Sequence, residues 1–216
     1  MKSSRFHDAR YQKKELRDSI TRNFGPDDSK KILAALRFAQ LAHKGQRRDE
    51  GSAYIIHPVR VALILVELVG TWDADMVVAA LLHDVVEDCG VRLATIQKRF
   101  GRRVAIFVRA LTRKVVERET EAEKERHKIE KLDILRRAPL EVRLIKCADF
   151  LDNIRCAAEV SFYAAERRKF ARWHREFHHA LKFAREVHAE LAKEISHELR
   201  KFDVKRFART VVRLGR

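Results

Sequence analysis

An all-α fold, one compact helical bundle, is what this sequence predicts, and three observations predict it. Only 7 Gly and 3 Pro occur among 216 residues, too few for the turns of a β-sandwich, a collagenous repeat or a disordered linker. Apolar residues recur at three- and four-residue spacing, and no stretch alternates with period two for long enough to support a sheet. The length fits one domain with a sizeable core, and no repeat, low-complexity tract or composition break marks a second.

Residues 1–28 read as an N-terminal helical arm whose opening, MKSSRFHDARYQKKELRDSI, lacks the apolar run of a signal peptide. In 29–44, SKKILAALRFAQLAHK, Ile32, Ala35, Leu36, Ala39 and Ala42 or His43 share a face, with Asp27, Asp28 or Ser29 as capping candidates and Gly45 as the stop. The glycine-bounded GQRRDEGSAYII is a loop. Pro58 then suits a first helical position, and Val59, Ala62, Leu63, Val66 and Val69 form a stripe ending at Gly70. From a cap at Asp73, DADMVVAALLHDVVEDCG is apolar nearly all round as far as His83, which predicts one buried helix running to Gly90.

Two short helices broken at Gly101 follow. Residues 117–137 carry as many acids as bases, with Ile129, Leu132 and Leu135 as their stripe, and read as a solvated helix laced with ion pairs. After Pro139, Val142, Ile145, Ala148, Leu151 and Ile154 or Arg155 line one face. From about Tyr163 to Leu199, Phe170, Trp173, Phe177, Leu181, Ala184, Val187, Leu191 and Ile195 predict one or two long helices packed on the core. The expected organisation is an arm over 1–28, a core over 29–160 and C-terminal helices over 161–216.

Of the net +16, residues 1–60 hold +7, 61–160 hold +1 and 161–216 hold +8. Basic flanks attract polyanions: nucleic acid, a membrane face or a phosphate-rich small molecule. Cys89, Cys147 and Cys156 are odd in number and form no C-x-x-C pair, so no disulfide framework or thiolate zinc site is encoded and a reducing compartment is expected. No segment approaches the ~18 apolar residues of a membrane span. The expectation is a soluble cytoplasmic protein.

The chemistry concentrates where the most buried helix turns to charge, at His83-Asp84-Val85-Val86-Glu87-Asp88. Ionisable groups there cost several kcal/mol each (~2–7) if desolvated without partners. At 3.6 residues per turn His83 stands above Glu87 and Asp84 above Asp88. A divalent metal would explain the cluster, and two further ligand candidates share the pattern of a polar residue in apolar surroundings. These are His57, before a helix-starting proline, and Asp149 on an amphipathic helix with Asp152 and Asn153 one turn on. His57, His83, Asp84 and Asp149 make an N2O2 set that suits a first-row divalent ion; the competing reading is a group of hydrogen-bonded core residues.

AHKGQRR, YIIHPVRVA, AALLHDVVED, FG..VA..V..LT and IKCADFLDNIR, in that order over roughly residues 30–160, resemble the HD-domain hydrolases of the RelA/SpoT type, in particular the stand-alone small alarmone hydrolases. The resemblance implies an HD-domain helical bundle and hydrolysis of the 3′-diphosphate of guanosine alarmones, releasing pyrophosphate and GDP or GTP. It implies Mn2+ on His57, His83, Asp84 and Asp149, a catalytic acidic pair in Glu87 and Asp88, Asn153 beside the metal's water, and Arg48 packed on the substrate base. Such a metal lowers the pKa of water and neutralises phosphoryl charge, while close carboxylates orient water and carry protons.

Arg48 is followed by Asp49 and Glu50, where the family commonly has a base and a small residue. An adenosine alarmone or another phosphorylated nucleotide such as NADPH therefore stays open as substrate. A basic nucleic-acid-binding protein with a degenerate HD core is the non-enzyme alternative, disfavoured by the intact ligand set. His7-Asp8 reads as surface. His174, His178 and His179 place two His at i and i+4 but lack the adjacent Glu of a zincin helix. No Walker or dinucleotide glycine loop occurs, and with 56 residues after 160 a synthetase activity is not expected. Oligomeric state is left open.

Overall fold

A computed structural model describes residues 5–113, 120–159 and 167–214. Among them no strand forms; Arg47 and Ala53 meet in one isolated antiparallel bridge. Helix α1 (Ala9–Asn23) is capped by Asp8, whose Oδ1 accepts from the N–H groups of Arg10 and Tyr11 at 2.8 and 3.1 Å. His7-Asp8 is thus a helix start, and Leu16 and Ile20 beyond it are fully buried.

Helix α2 (Pro26–Ala42) starts earlier than predicted. Pro26 takes the first position, Gly25 is the cap, and Asp27 and Asp28 fall in the first turn. They face the positive end of the helix dipole and do not cap it, because Pro26 is preset for a helix start. Helix α3 (Ile56–Leu63) also starts early, placing Pro58 third, where a missing N–H costs no intrahelical bond. It runs on into a π-helical turn, Ile64–Val69, which Gly70 closes at a φ of 72°.

Helix α4 (Ala74–Leu82) is capped by Asp73, as predicted, through bonds from the N–H groups of Asp75 and Met76 at 3.0 and 3.3 Å. Val77 to Leu82 are wholly buried, and the helix packs on α2, α3 and the later helix Arg102–Leu111. The predicted unbroken helix to Gly90 is not found. The chain turns at His83-Asp84 and resumes as α5 (Val85–Cys89), where the Asp88 N–H still bonds the Asp84 carbonyl at 2.8 Å, so Asp84 keeps its predicted place one turn before Asp88. The His83 ring is the cause of the break: its Nδ1 lies 2.8 Å from the Ala80 carbonyl, the acceptor that a continuing helix would offer to the Asp84 N–H.

Helices α6 (Leu93–Phe100) and α7 (Arg102–Leu111) break at Gly101, as predicted. Helix α8 (Glu121–Leu135) opens on a capping box between Thr120 and Glu123; 117–119 of the predicted helix lie outside the described residues. Helix α9 (Leu140–Glu159) buries Val142, Ile145, Ala148, Leu151 and Ile154 completely, the predicted stripe. Two helices follow, α10 (Arg167–Arg185) and α11 (Ala189–Leu214); Tyr163, the predicted start, is outside the described residues. Helix α9 packs against α3, α4, α7, α10 and α11, so α3, the α4–α5 break and α9 meet in the centre.

The cysteines are unpaired, and burial pushes the Cys147 thiol up to about 12, so it is no thiolate. No described helix is long and apolar enough to cross a membrane.

Candidate metal centre and nucleotide cleft

Two helices and the break between two others aim polar atoms at one point. Helix α3 supplies His57 from its second position, the α4–α5 break supplies His83 and Asp84, and the middle of α9 supplies Asp149. His57 Nε2 lies 3.1 Å from Asp149 Oδ1 and 3.6 Å from Asp84 Oδ2. His83 Nε2 lies 3.1 Å from Asp84 Oδ2 and 3.8 Å from Asp149 Oδ1. His57, His83 and Asp149 are buried, at 1%, 5% and 4% exposure. The break at His83-Asp84 explains how two neighbours in sequence address one point. In a continuous helix they would diverge by about 100°.

The environment leaves the four inward atoms as electron-pair donors. His57 Nδ1 lies 2.7 Å from Asp152 Oδ2, and His83 Nδ1 meets the Ala80 carbonyl, so each ring donates its proton outward and turns a lone pair inward. His83 Nε2 is buried and has no hydrogen-bond partner among the described residues. Edges of 3.1 to 3.8 Å match ligands about 2.1–2.3 Å from a shared cation. The residues present fit a divalent ion.

Electrostatics agree. Burial disfavours charge on all three groups, yet His83 is pulled well above its ordinary value by Asp84 and Asp149. Burial likewise opposes ionisation of Asp84 and Asp149, but His83 holds Asp84 below the carboxylate range and Lys146 with the two imidazoles does so for Asp149. Two ionised carboxylates thus face the point, where a proton and a metal compete for the same positions.

A second layer fixes the first. Asp152, wholly buried, takes a two-pronged grip from Arg60, with Nε to Oδ1 at 2.6 Å and Nη2 to Oδ2 at 3.1 Å, besides holding His57. Asn153 donates from Nδ2 to Asp149 Oδ1 at 2.7 Å and accepts from Arg48 Nη2 at 2.7 Å, linking the loop arginine to the centre. Lys146 Nζ lies 2.7 Å from Asp149 Oδ2.

The centre opens into a cavity of about 440 Å³ whose wall includes Arg47, Arg113, Lys128, Lys131, Trp173 and Phe177. Glu87 faces it, accepting from the Arg113 N–H at 2.9 Å and Nε at 3.3 Å. Asp88 is joined to Asp84 by Tyr54, whose hydroxyl lies 2.6 and 2.8 Å from their Oδ2 atoms; its one proton serves one carboxylate at a time. Burial and then Asp84 push Asp88 up. Arg48 sits over the Tyr54 ring, 5.7 Å from its centroid. Glu50 is engaged by Arg48 Nε at 3.6 Å and by the Ser52 hydroxyl at 2.7 Å.

All eight residues singled out from the sequence, His57, His83, Asp84, Glu87, Asp88, Asp149, Asn153 and Arg48, line this one cavity. Sequence reasoning missed Arg60, Tyr54 and Arg113 and gave Asp152 no role. Arg60 alone carried a signal, a lone charge inside an apolar helical stripe.

Fold and site together define an all-α domain that gathers imidazole and carboxylate groups from α3, the α4–α5 break and α9 at one point beside a cationic cleft. Comparison with known proteins narrows this. The HD domain family matches residues 35–181. A guanosine-3′,5′-bis(diphosphate) 3′-pyrophosphohydrolase of Aquifex aeolicus is 39% identical over 132 residues, 60% of this chain and 18% of that protein. The human enzyme of that name, MESH1, is 36% identical over 130 residues, 59% of this chain and 70% of that protein. The solved structure of a metazoan SpoT ortholog, described as hydrolysing ppGpp, superposes with a TM-score of 0.69 at 28% identity, over 79% of this chain and 94% of that one. The chain belongs to the HD-domain family, in its RelA/SpoT-type branch. It spans about a fifth of the length of the long bacterial relatives, 18% and 22% for the first two.

Proposed function

We propose that the protein hydrolyses the 3′-diphosphate of a guanosine alarmone, releasing pyrophosphate and GDP or GTP, with Mn2+ held by His57, His83, Asp84 and Asp149. The observation that carries this reading is the set of four lone-pair atoms fixed around one point at the floor of a cleft rich in Lys and Arg. The names of the relatives support it. An N2O2 set with two carboxylates suits a first-row divalent ion, which when bound supplies Lewis acidity toward phosphoryl oxygens and lowers the pKa of water.

The chain's own groups do the rest. Glu87, steadied by Arg113, and Asp88, steadied by Tyr54, orient the attacking water and carry its proton toward the 3′ oxygen as the bond from that oxygen to phosphorus breaks. Lys131, Lys146 and Arg47 neutralise the departing diphosphate. Arg48 packs on the base, opposite its contact with Tyr54. Glu50, one of the two acids that depart from the family pattern, is held within the loop by Arg48 and Ser52, and the guanine reading rests on the names of the relatives. We read residues 29–160 as the catalytic core, 1–28 as an arm on it and 161–216 as a cover; Trp173 and Phe177 on the cleft wall support the cover role.

Incubation with Mn2+ and either guanosine or adenosine 3′,5′-bis(diphosphate), with product analysis, tests the reading. Pyrophosphate and GDP in equal amounts, faster than from the adenosine compound, are expected. Orthophosphate as product, or preference for adenosine, contradicts it. Arg48→Ala should raise KM about ten-fold, the loss of ~1.4 kcal/mol of stacking.

A further inference from the structure

Helices α10 and α11 carry a second cluster of ligand atoms, separate from the residues of the catalytic cleft. His174 and His178, one turn apart on α10, bring their Nε2 atoms to 3.1 Å of each other. Asp203 of α11 reaches the same place, with Oδ1 3.2 Å from His174 Nε2, and the three donor atoms all lie within 4.8 Å of one another. Asp203 Oδ1 is buried and accepts no hydrogen bond from any described residue, although an imidazole stands beside it. Two imidazole nitrogens pointed at each other can share one proton, which leaves the third donor atom unserved. A cation serves all three.

The geometry is that of a tetrahedral site. Ligands ~2.0–2.1 Å from an ion are separated by about 3.3 Å, close to both short edges seen here. The scaffold is rigid where it needs to be. Phe202, next to Asp203, is wholly buried and meets the Phe177 ring, next to His178, edge-on at 5.4 Å between centroids. Glu176, the acid between the two histidines, is taken by Lys128 Nζ at 3.0 and 3.1 Å, so no general base stands by as in a zincin helix. The sequence shows the two histidines but not Asp203, which is 25 residues beyond His178 and arrives only when α11 folds back.

We propose that His174, His178 and Asp203 form a structural site for a zinc-class divalent ion, N2O from the protein with water completing the shell, which clips α11 to α10. Borderline ions such as Zn2+ suit two imidazoles and one carboxylate better than Mg2+ or Ca2+ do. Because Trp173 and Phe177 of α10 line the cleft, the clip would hold that wall in place.

The test is equilibrium dialysis of the full chain against micromolar Zn2+, with metal counted per chain, for wild type, His178→Ala, Asp203→Asn and His83→Ala. His178 is exposed, so its replacement leaves the fold intact, which circular dichroism checks. His178→Ala and Asp203→Asn should each bind about one zinc fewer than wild type, and zinc should raise the melting midpoint of wild type more than that of either. Zinc content equal to wild type in His178→Ala overturns the proposal. Loss in His178→Ala without loss in Asp203→Asn reduces the site to a two-histidine chelate and overturns the three-ligand assignment. The His83→Ala protein reports on the catalytic centre separately: full zinc content there would count against that reading and leave this one standing.

Discussion

Asp152→Asn is the most informative single change, because it keeps the shape of the side chain and removes a charge that serves two partners. Asp152 is wholly buried and is held below the carboxylate range, against burial, by Arg60 and His57. The substitution leaves the Arg60 guanidinium, 4% exposed, without a counter-charge. Breaking such a buried pair from one side costs about 3–5 kcal/mol. At about 2–4 °C per kcal/mol for a chain of this size, the melting midpoint should fall by roughly 6–20 °C.

The same change frees His57 to rotate or switch tautomer, and losing an outer partner of this kind costs about 10–100-fold in metal affinity. Adding Arg60→Met separates the two effects. With both charges gone stability should largely return, while metal affinity stays low, because a neutral amide then holds His57 Nδ1 less firmly than the carboxylate did. The assays are thermal unfolding monitored by circular dichroism and titration with Mn2+. A midpoint within 2 °C of wild type together with unchanged metal affinity would refute the second-layer reasoning.

Other outcomes follow from the same contacts. Glu87→Gln and Asp88→Asn should each lower kcat by about 10²–10⁴-fold with little change in bound metal, measured by steady-state kinetics and metal analysis. Asp73→Ala removes the α4 cap and its paired bonds from Arg103 at 2.8 and 2.6 Å, and should cost about 1–2 kcal/mol in urea unfolding. Burial opposes ionisation of Asp73, but Arg103 and the Met76 N–H outweigh it and hold the carboxyl below its ordinary 3.8. Its stabilising contribution is therefore full above that pH and is lost as pH falls through the lowered value; wild type and Asp73→Ala should converge in stability at acid pH.

Much of this fold is legible in residue spacing because its helices bury one continuous stripe each. The five positions read on α9 are all fully buried. Helix starts at Pro26 and Ile56 were less legible, since proline within a first turn is tolerated at more than one position. The break at His83 was hidden because it depends on a side chain competing for a carbonyl in its own helix, which periodicity cannot register. At the site, polar residues in apolar surroundings drew attention to the histidines and aspartates. The pairings around them are hidden for the opposite reason: Arg60 and Asp152 are 92 positions apart, as Glu87 and Arg113 are 26 apart, and each contact exists only once α3, α5, α7 and α9 have packed.

The central claim, a metal held by His57, His83, Asp84 and Asp149 driving release of pyrophosphate from a 3′-diphosphate, is tested most directly by one measurement. Pyrophosphate formed from guanosine 3′,5′-bis(diphosphate) is followed for the wild-type protein in Mn2+, the same protein in chelator, and Asp84→Asn in Mn2+. One pyrophosphate per nucleotide consumed is expected in the first sample and essentially none in the other two. Release that persists in chelator or in Asp84→Asn, or no release from the wild-type protein with Mn2+, would contradict it.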